Sequence, residues 1–148
     1  MKLPIHLLNS LWLMFPLLAW NIVLGPRITN EKVLSDAFSP QWLLVLENVT
    51  RLAIFLLPLF IPLQLENRGS KHGLIIFIVG TLIYFAAWLP LLLDPESAWS
   101  NSTAGLLAPR LTPLLPFLGI ALIGGSWTYA TLSLAFIFLH TLHGIQNL

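Results

Sequence analysis

Between residues 111 and 145 the chain carries no Asp, Glu, Lys or Arg. As continuous helix, at about 1.5 Å per residue, that stretch would run roughly 50 Å. The hydrocarbon core of a bilayer is only about 30 Å thick. One straight span cannot use it, so the chain must turn inside it. Gly124, Gly125 and Ser126 supply a natural break, and Pro113 with Pro116 discourages regular helix early on. The spacing predicts a short segment over residues 104 to 124, partly re-entrant, followed by a span over 126 to 145. The alternative is a single late span near residues 118 to 140, with the preceding residues at the interface.

Three earlier apolar stretches complete the pattern. Residues 4 to 25 form the first; it is too long for the apolar core of a signal peptide and has no A-x-A-like cleavage site, so an uncleaved span is expected. Residues 42 to 65 and 74 to 93 form the second and third, separated by the charged turn ENRGSKHG. The expected fold is all-α: a single-domain polytopic helical transmembrane bundle of five membrane segments, or of four spans plus a re-entrant or interfacial segment. Composition agrees, with 57% hydrophobic and 9% charged residues against about 45–50% and 25% in soluble domains. The lipid bilayer is therefore the first expected partner.

The same composition removes several function classes. A net charge of +1 offers no field dense enough for nucleic acid, and no Lys/Arg cluster follows a span to hold anionic lipid at the surface. The absence of cysteine excludes disulfides, thiolate nucleophiles and Cys-ligated metals. No H-E-x-x-H, nucleotide-binding glycine loop or G-x-S-x-G is present, and His140-Thr-Leu-His143 alone is a weak metal signal. No metal and no cofactor are expected. No internal repeat supports an inverted-repeat transporter. The loop cations are balanced, Lys2, Arg68 and Lys71 on one side against Arg27, Lys32 and Arg110 on the other, so orientation is not set by charge. The sequon at Asn101 bears on a secretory-pathway protein only, and that at Asn48 falls inside a span.

The second stretch, WLLVLENVTRLAIFLLPLFIPLQL, holds the chemistry. Each charge near a helix centre costs about 2.5–3.5 kcal/mol on insertion scales, while each Leu, Ile, Phe or Val returns roughly 0.3–0.6. The fourteen such residues between Trp42 and Gln64 offset Glu47 and Arg51 only narrowly. Glu47 and Arg51 are spaced i, i+4 with the acid first, the better order for an ion pair, and Asn48 is three residues before Arg51. Such groups point into a bundle and mark functional sites by default, although an ion pair that only fixes packing satisfies the same pattern. Tyr84, in a stripe with Thr81 and Trp88, and Tyr129 with Ser133, His140 and His143 on one helical face, are the expected companions. In the first stretch His6, Asn9 and Leu13 share a face.

Bland roles are the alternative for these and other polar groups: headgroup anchoring for Trp42, Trp88, Trp99 and Trp127, hydrogen bonds to their own helix or to a neighbour for Ser133, Thr131 and Thr81, and interfacial or packing roles for His140 and His143. The candidate polar core is thus Glu47, Asn48, Arg51, Tyr84, Tyr129 and His140. Three functions fit it. The first is binding or transport of a lipid or small-molecule ligand, with Arg51 on an anion or carbonyl. The second is a membrane enzyme acting on a lipid or isoprenoid, with Glu47 or a histidine as acid-base group. The third is a non-catalytic subunit of an oligomer or larger membrane complex. Segments such as YFAAWLPLLLDP have the style of small bacterial membrane proteins, which sets the inner membrane as the expected location.

Overall fold

The computed structural model describes residues 8–29, 36 and 39–148, and His6, Lys2 and Lys32 lie outside that set. The described chain is a bundle of helices: α1 (Leu11–Leu24), α2 (Gln41–Leu56), α3 (Arg68–Leu93), α4 (Thr103–Leu111), α5 (Leu114–Ile123) and α6 (Trp127–Gln146). Short 3-10 turns continue α1 at Gly25–Arg27 and α2 at Leu57–Phe60. Four stretches, Gln41–Phe60, Arg68–Leu93, Thr103–Ile123 and Trp127–Gln146, are long and apolar enough to cross a membrane. The protein is an integral membrane helical bundle by that measure. α1 has 14 residues, about 21 Å of helix, which is short of a full hydrocarbon core.

The differences from the expected boundaries have local causes. The second stretch leaves the α-helix at Leu56, and residues 61 to 65 are not helical, because Pro58 and Pro62 lack the N–H groups that would continue the ladder. Pro58 leaves the carbonyl of Ile54 without its usual donor, and the hydroxyl of Tyr129 donates to that oxygen instead at 3.2 Å. The third helix starts six residues earlier than its apolar run, so Arg68, Lys71 and His72 ride on its first turns. The fourth stretch is α4 and α5 joined at Thr112 and Pro113, together 21 residues and close to the expected bounds; bent at that joint, it is still long and apolar enough to cross. A helix running unbroken through residues 118 to 140 is ruled out, since α5 ends at Ile123 and Ser126 caps α6 by accepting from the Tyr129 N–H at 3.2 Å.

Thr103–Ile123 is the most enclosed of the four long stretches, so α4 and α5 form the centre of the bundle. α5 lies against α3 at backbone distance: a Cβ on Gly119 would sit 2.6 Å from the Phe77 nitrogen and 2.8 Å from the Gly73 carbonyl oxygen. Small residues permit such an approach where lipid supplies no hydrophobic drive between helices. Ser70 adds a hydrogen bond to the Ile123 carbonyl at 3.3 Å. The core between helices is apolar, with Met14, Leu17, Ile54, Phe77, Phe117, Ile120 and Phe136 buried. Large apolar side chains such as Phe15, Val49, Leu82 and Phe138 stay exposed on the outer faces, where acyl chains would cover them.

The two ends of the bundle are tied differently. At one, the start of α1 meets the α2–α3 connection, with the Ser10 N–H donating to the Ile61 carbonyl at 2.8 Å and that of Leu63 to Leu8 at 3.0 Å. At the other, Asn147 after α6 donates to the Ser39 hydroxyl before α2 at 2.7 Å. Arg110 is not the loop cation expected from sequence: it is buried on α4, leaving Arg68 and Lys71 against Arg27 among the described loop-side cations.

Candidate functional site

Glu47 is the seventh residue of α2, about 9 Å along the axis from its start, and is 1% exposed. Its carboxylate meets three cationic or N–H groups. Arg51, one turn on, contacts Oε1. Across the helix interface, His140 Nδ1 lies 2.9 Å from Oε1 and His143 Nδ1 2.6 Å from Oε2. An ionised carboxylate only accepts, so both imidazoles donate from Nδ1. Histidines three apart on α6 project from one face, and together they clamp the two oxygens of one acid on α2. The His140 ring is held in plane by stacking on Phe136, 5.3 Å between centroids.

Two more charges complete the cluster. Arg110, near the end of α4, extends toward α6 and directs Nη1 to the His140 carbonyl at 3.5 Å. Its side chain lies over Gly144, where a Cβ would come within 2.5 Å of Arg110 Cδ; the missing side chain is what admits the guanidinium. Asp36, in the connection before α2, places Oδ1 2.9 Å from His143 Nε2. That contact is close enough for an ion pair but is not aligned as a hydrogen bond. Asp36 is 65% exposed, so its carboxylate is free to rotate.

This cluster forms one end of a cavity of about 590 Å³. Leu17, Leu18, Ile22, Phe55, Phe117 and Phe136 provide apolar wall. A second polar contact faces the same space, where the Tyr84 hydroxyl donates to Asn21 Oδ1 at 2.6 Å. Trp88 also lines it, edge-on to Tyr84 at 6.3 Å, so it is turned inward and does not serve as the headgroup anchor expected for it. Trp42, Trp99 and Trp127 are exposed near helix ends. Among the described residues, no group of three or more His, Asp or Glu is arranged to hold a metal ion.

The sequence-derived residues are distributed unevenly over this site. Glu47, Arg51, Tyr84 and His140 come together on the cavity. Asn48 is exposed on the outer side of α2 and accepts from Arg51 Nη1 at 3.2 Å, steadying the guanidinium without lining the space. Tyr129 is fully buried elsewhere, between Met14 and the Ile54 carbonyl. Arg51 itself is not enclosed: its side chain is 41% exposed, and it is the acid that the bundle hides. Ser133 donates to the Tyr129 carbonyl at 2.7 Å and Thr131 to Trp127 at 3.0 Å, both within their own helix, whereas the buried Thr81 hydroxyl meets no partner among the described residues, against the expectation for it.

Three site residues escape a reading of the sequence. His143 is legible as the neighbour of His140 on the α6 face, but its place near the chain end suggests packing rather than a carboxylate contact. Arg110 reads as a loop charge, although its position within the apolar run LLAPRLTPLL marks an enclosed cation. Asp36 carries no sequence signal, because only the meeting of the α1–α2 connection with the end of α6 brings it there. No family model, no curated protein and no solved structure matches the chain.

Proposed function

We propose that the protein binds an amphipathic molecule with an anionic or carbonyl head inside the membrane, as a ligand-binding or transport-related protein. The supporting observation is the cavity of about 590 Å³ with charged groups at one end and apolar walls beyond them; small-molecule sites occupy about 300–1,000 Å³ and combine apolar lining with a few convergent polar groups. Arg51 is the head-group contact. Its guanidinium has five donors, of which Glu47 and Asn48 engage two, and the partly open side chain can turn toward a bound oxygen. Arg110 lends a second positive charge at the same end. Glu47 and the two histidines hold the polar end in shape.

A second reading draws on the Glu47–His140 contact at 2.9 Å. A carboxylate that orients an imidazole beside a cavity is the arrangement of general acid-base catalysis, and a lipid or isoprenoid bound there would be its substrate. An assembly subunit of a larger complex has less support, because a packing role needs no cavity. The bacterial inner membrane is the proposed location, tested by fractionation of cells expressing a tagged chain.

Native mass spectrometry of protein extracted in mild detergent tests the binding reading. The expected result is a retained amphipathic molecule on the wild type, depleted in an Arg51→Leu, Arg110→Leu double variant that still folds. Wild-type protein that emerges empty, and that also fails to bind added short-chain phosphatidylglycerol, would overturn it.

A further inference from the structure

We infer that ligand binding at this site is coupled to the uptake of one proton, taken in through Asp36 and His143 and stored on Glu47. The inference rests on the binding reading and adds to it the charge chemistry of the head group. With neutral histidines, the guanidinium charges of Arg51 and Arg110 are cancelled by the carboxylates of Glu47 and Asp36. An anionic head entering this end would leave one uncompensated negative charge away from water, where charge interactions are least screened. A proton taken up with the anion restores balance.

The geometry supplies both the store and the path. Among the described residues, the titratable and charged groups lining the cavity around Glu47 are Arg51 on α2, Arg110 on α4, His140 and His143 on α6, Tyr84 on α3 and Asp36 in the connection; α1 and α5 contribute none. Arg51 is the most open of the charges that hold Glu47, so it is the one that can move to the ligand. Asp36 is exposed, His143 is buried behind it, and Glu47 lies behind His143, with successive contacts of 2.9 and 2.6 Å.

A proton from water reaches Asp36, whose exposed carboxyl rotates into line with His143 and passes it to Nε2, while the Nδ1 proton moves to Glu47 Oε2. His143 ends neutral with its proton on Nε2, donating to the Asp36 carboxylate. Glu47 ends as the neutral acid, donating from Oε2 to His143 Nδ1. Arg51, released from Oε1, takes the anion. Imidazole suits this relay because either nitrogen can carry the proton.

The probe is dihexanoyl phosphatidylglycerol, whose phosphodiester keeps one negative charge throughout the range used. Titration calorimetry of the full chain in detergent, between about pH 5 and 8, should show affinity rising as pH falls, approaching about tenfold per unit where one whole proton is taken up. Buffers of different ionisation heat should report that proton directly. Glu47→Gln, which imitates the protonated acid, should bind at high pH as the wild type does at low pH and lose the slope. Asp36→Asn tests the charge balance at an exposed position where folding is not at stake, and should tighten binding at high pH and flatten the profile. Binding that is independent of pH in the wild type would overturn the coupling, and an equally steep profile in Asp36→Asn would overturn the charge balance and the entry route through Asp36, both leaving the binding reading in place. Absence of binding at every pH would overturn both.

Discussion

Replacing Glu47 with Leu separates what holds the bundle from what serves a ligand. The side chains are similar in volume, so the cavity left behind is small and the cost comes from stranded donors. Glu47 accepts from Arg51, His140 and His143. Hydrogen bonds to charged groups contribute about 1.5–3 kcal/mol each in soluble proteins, whereas side-chain bonds measured within a membrane protein average about 0.6 and reach about 1.7. Arg51 is discounted because its half-open side chain can be solvated elsewhere. Two enclosed bonds near the upper membrane value leave a loss of about 3 kcal/mol. That is roughly a hundredfold change in the folded-to-unfolded ratio. Glu47→Gln, which keeps one acceptor oxygen, should lose about half as much.

The assay is reversible unfolding in mixed micelles, followed by circular dichroism as denaturing detergent is added. A Glu47→Leu variant within about 0.5 kcal/mol of wild type, the range of an ordinary surface change, would refute the account of the clamp. Removing the whole set is the complementary step. Replacing a complete buried polar group with apolar residues is often neutral or stabilising, so Glu47→Leu, His140→Phe and His143→Leu together should recover most of the loss. The triple variant keeps Arg51 and Arg110 and carries no acid at position 47, so it should still bind short-chain phosphatidylglycerol at high pH but without a pH slope. If it binds with the wild-type dependence on pH, Glu47 and the two histidines are a packing device and take no part in the coupling.

Two further outcomes follow from the packing. Tyr129→Phe removes the hydroxyl that donates to the Ile54 carbonyl, which Pro58 cannot serve, and should cost about 1–2 kcal/mol in the same unfolding assay; Tyr129→Phe combined with Pro58→Ala should cost less than the two losses added, because the second substitution restores a backbone N–H to that oxygen. Gly119→Leu places a side chain against the Phe77 and Gly73 backbone, which cannot yield as a flexible side chain would, so a loss of about 3 kcal/mol or failure to fold is expected, read by expression level and thermal unfolding.

The helices are legible in the sequence because apolar length and proline-glycine punctuation are local properties of the chain. Gly124 and Gly125 mark the α5–α6 break, and Ser126 supplies its cap. The bend at Pro113 is visible as a break but not as a continuing passage, since whether a proline ends a segment or only bends it depends on the helices that cover it. Within the site, Glu47 and Arg51 announce themselves by their cost in lipid. The i, i+3 spacing places both histidines on one face of α6. No local pattern can say that this face meets α2 at Glu47, or that Gly144 clears a place for Arg110, because those facts belong to the packing of separate elements.

The depth of the cluster explains why the chain tolerates it. Glu47 lies in the second turn of α2 and His143 in the last turn of α6, both toward the end of the bundle where Ser39 and Asn147 meet. Insertion costs fall as a charge nears the interface, so the penalty set against the fourteen large aliphatic and aromatic residues of that stretch is smaller than its mid-helix value. Depth also divides the two partners. The carboxylate is enclosed and matched by three donors, which suits a group that fixes the meeting of two helices. The guanidinium, four residues further in, is half uncovered beside a cavity. An arginine needed only for packing gains nothing from that opening, because a fully covered one would lose less to competing contacts. A ligand-binding arginine needs it, since some of its donors must remain reachable after the acid has been served.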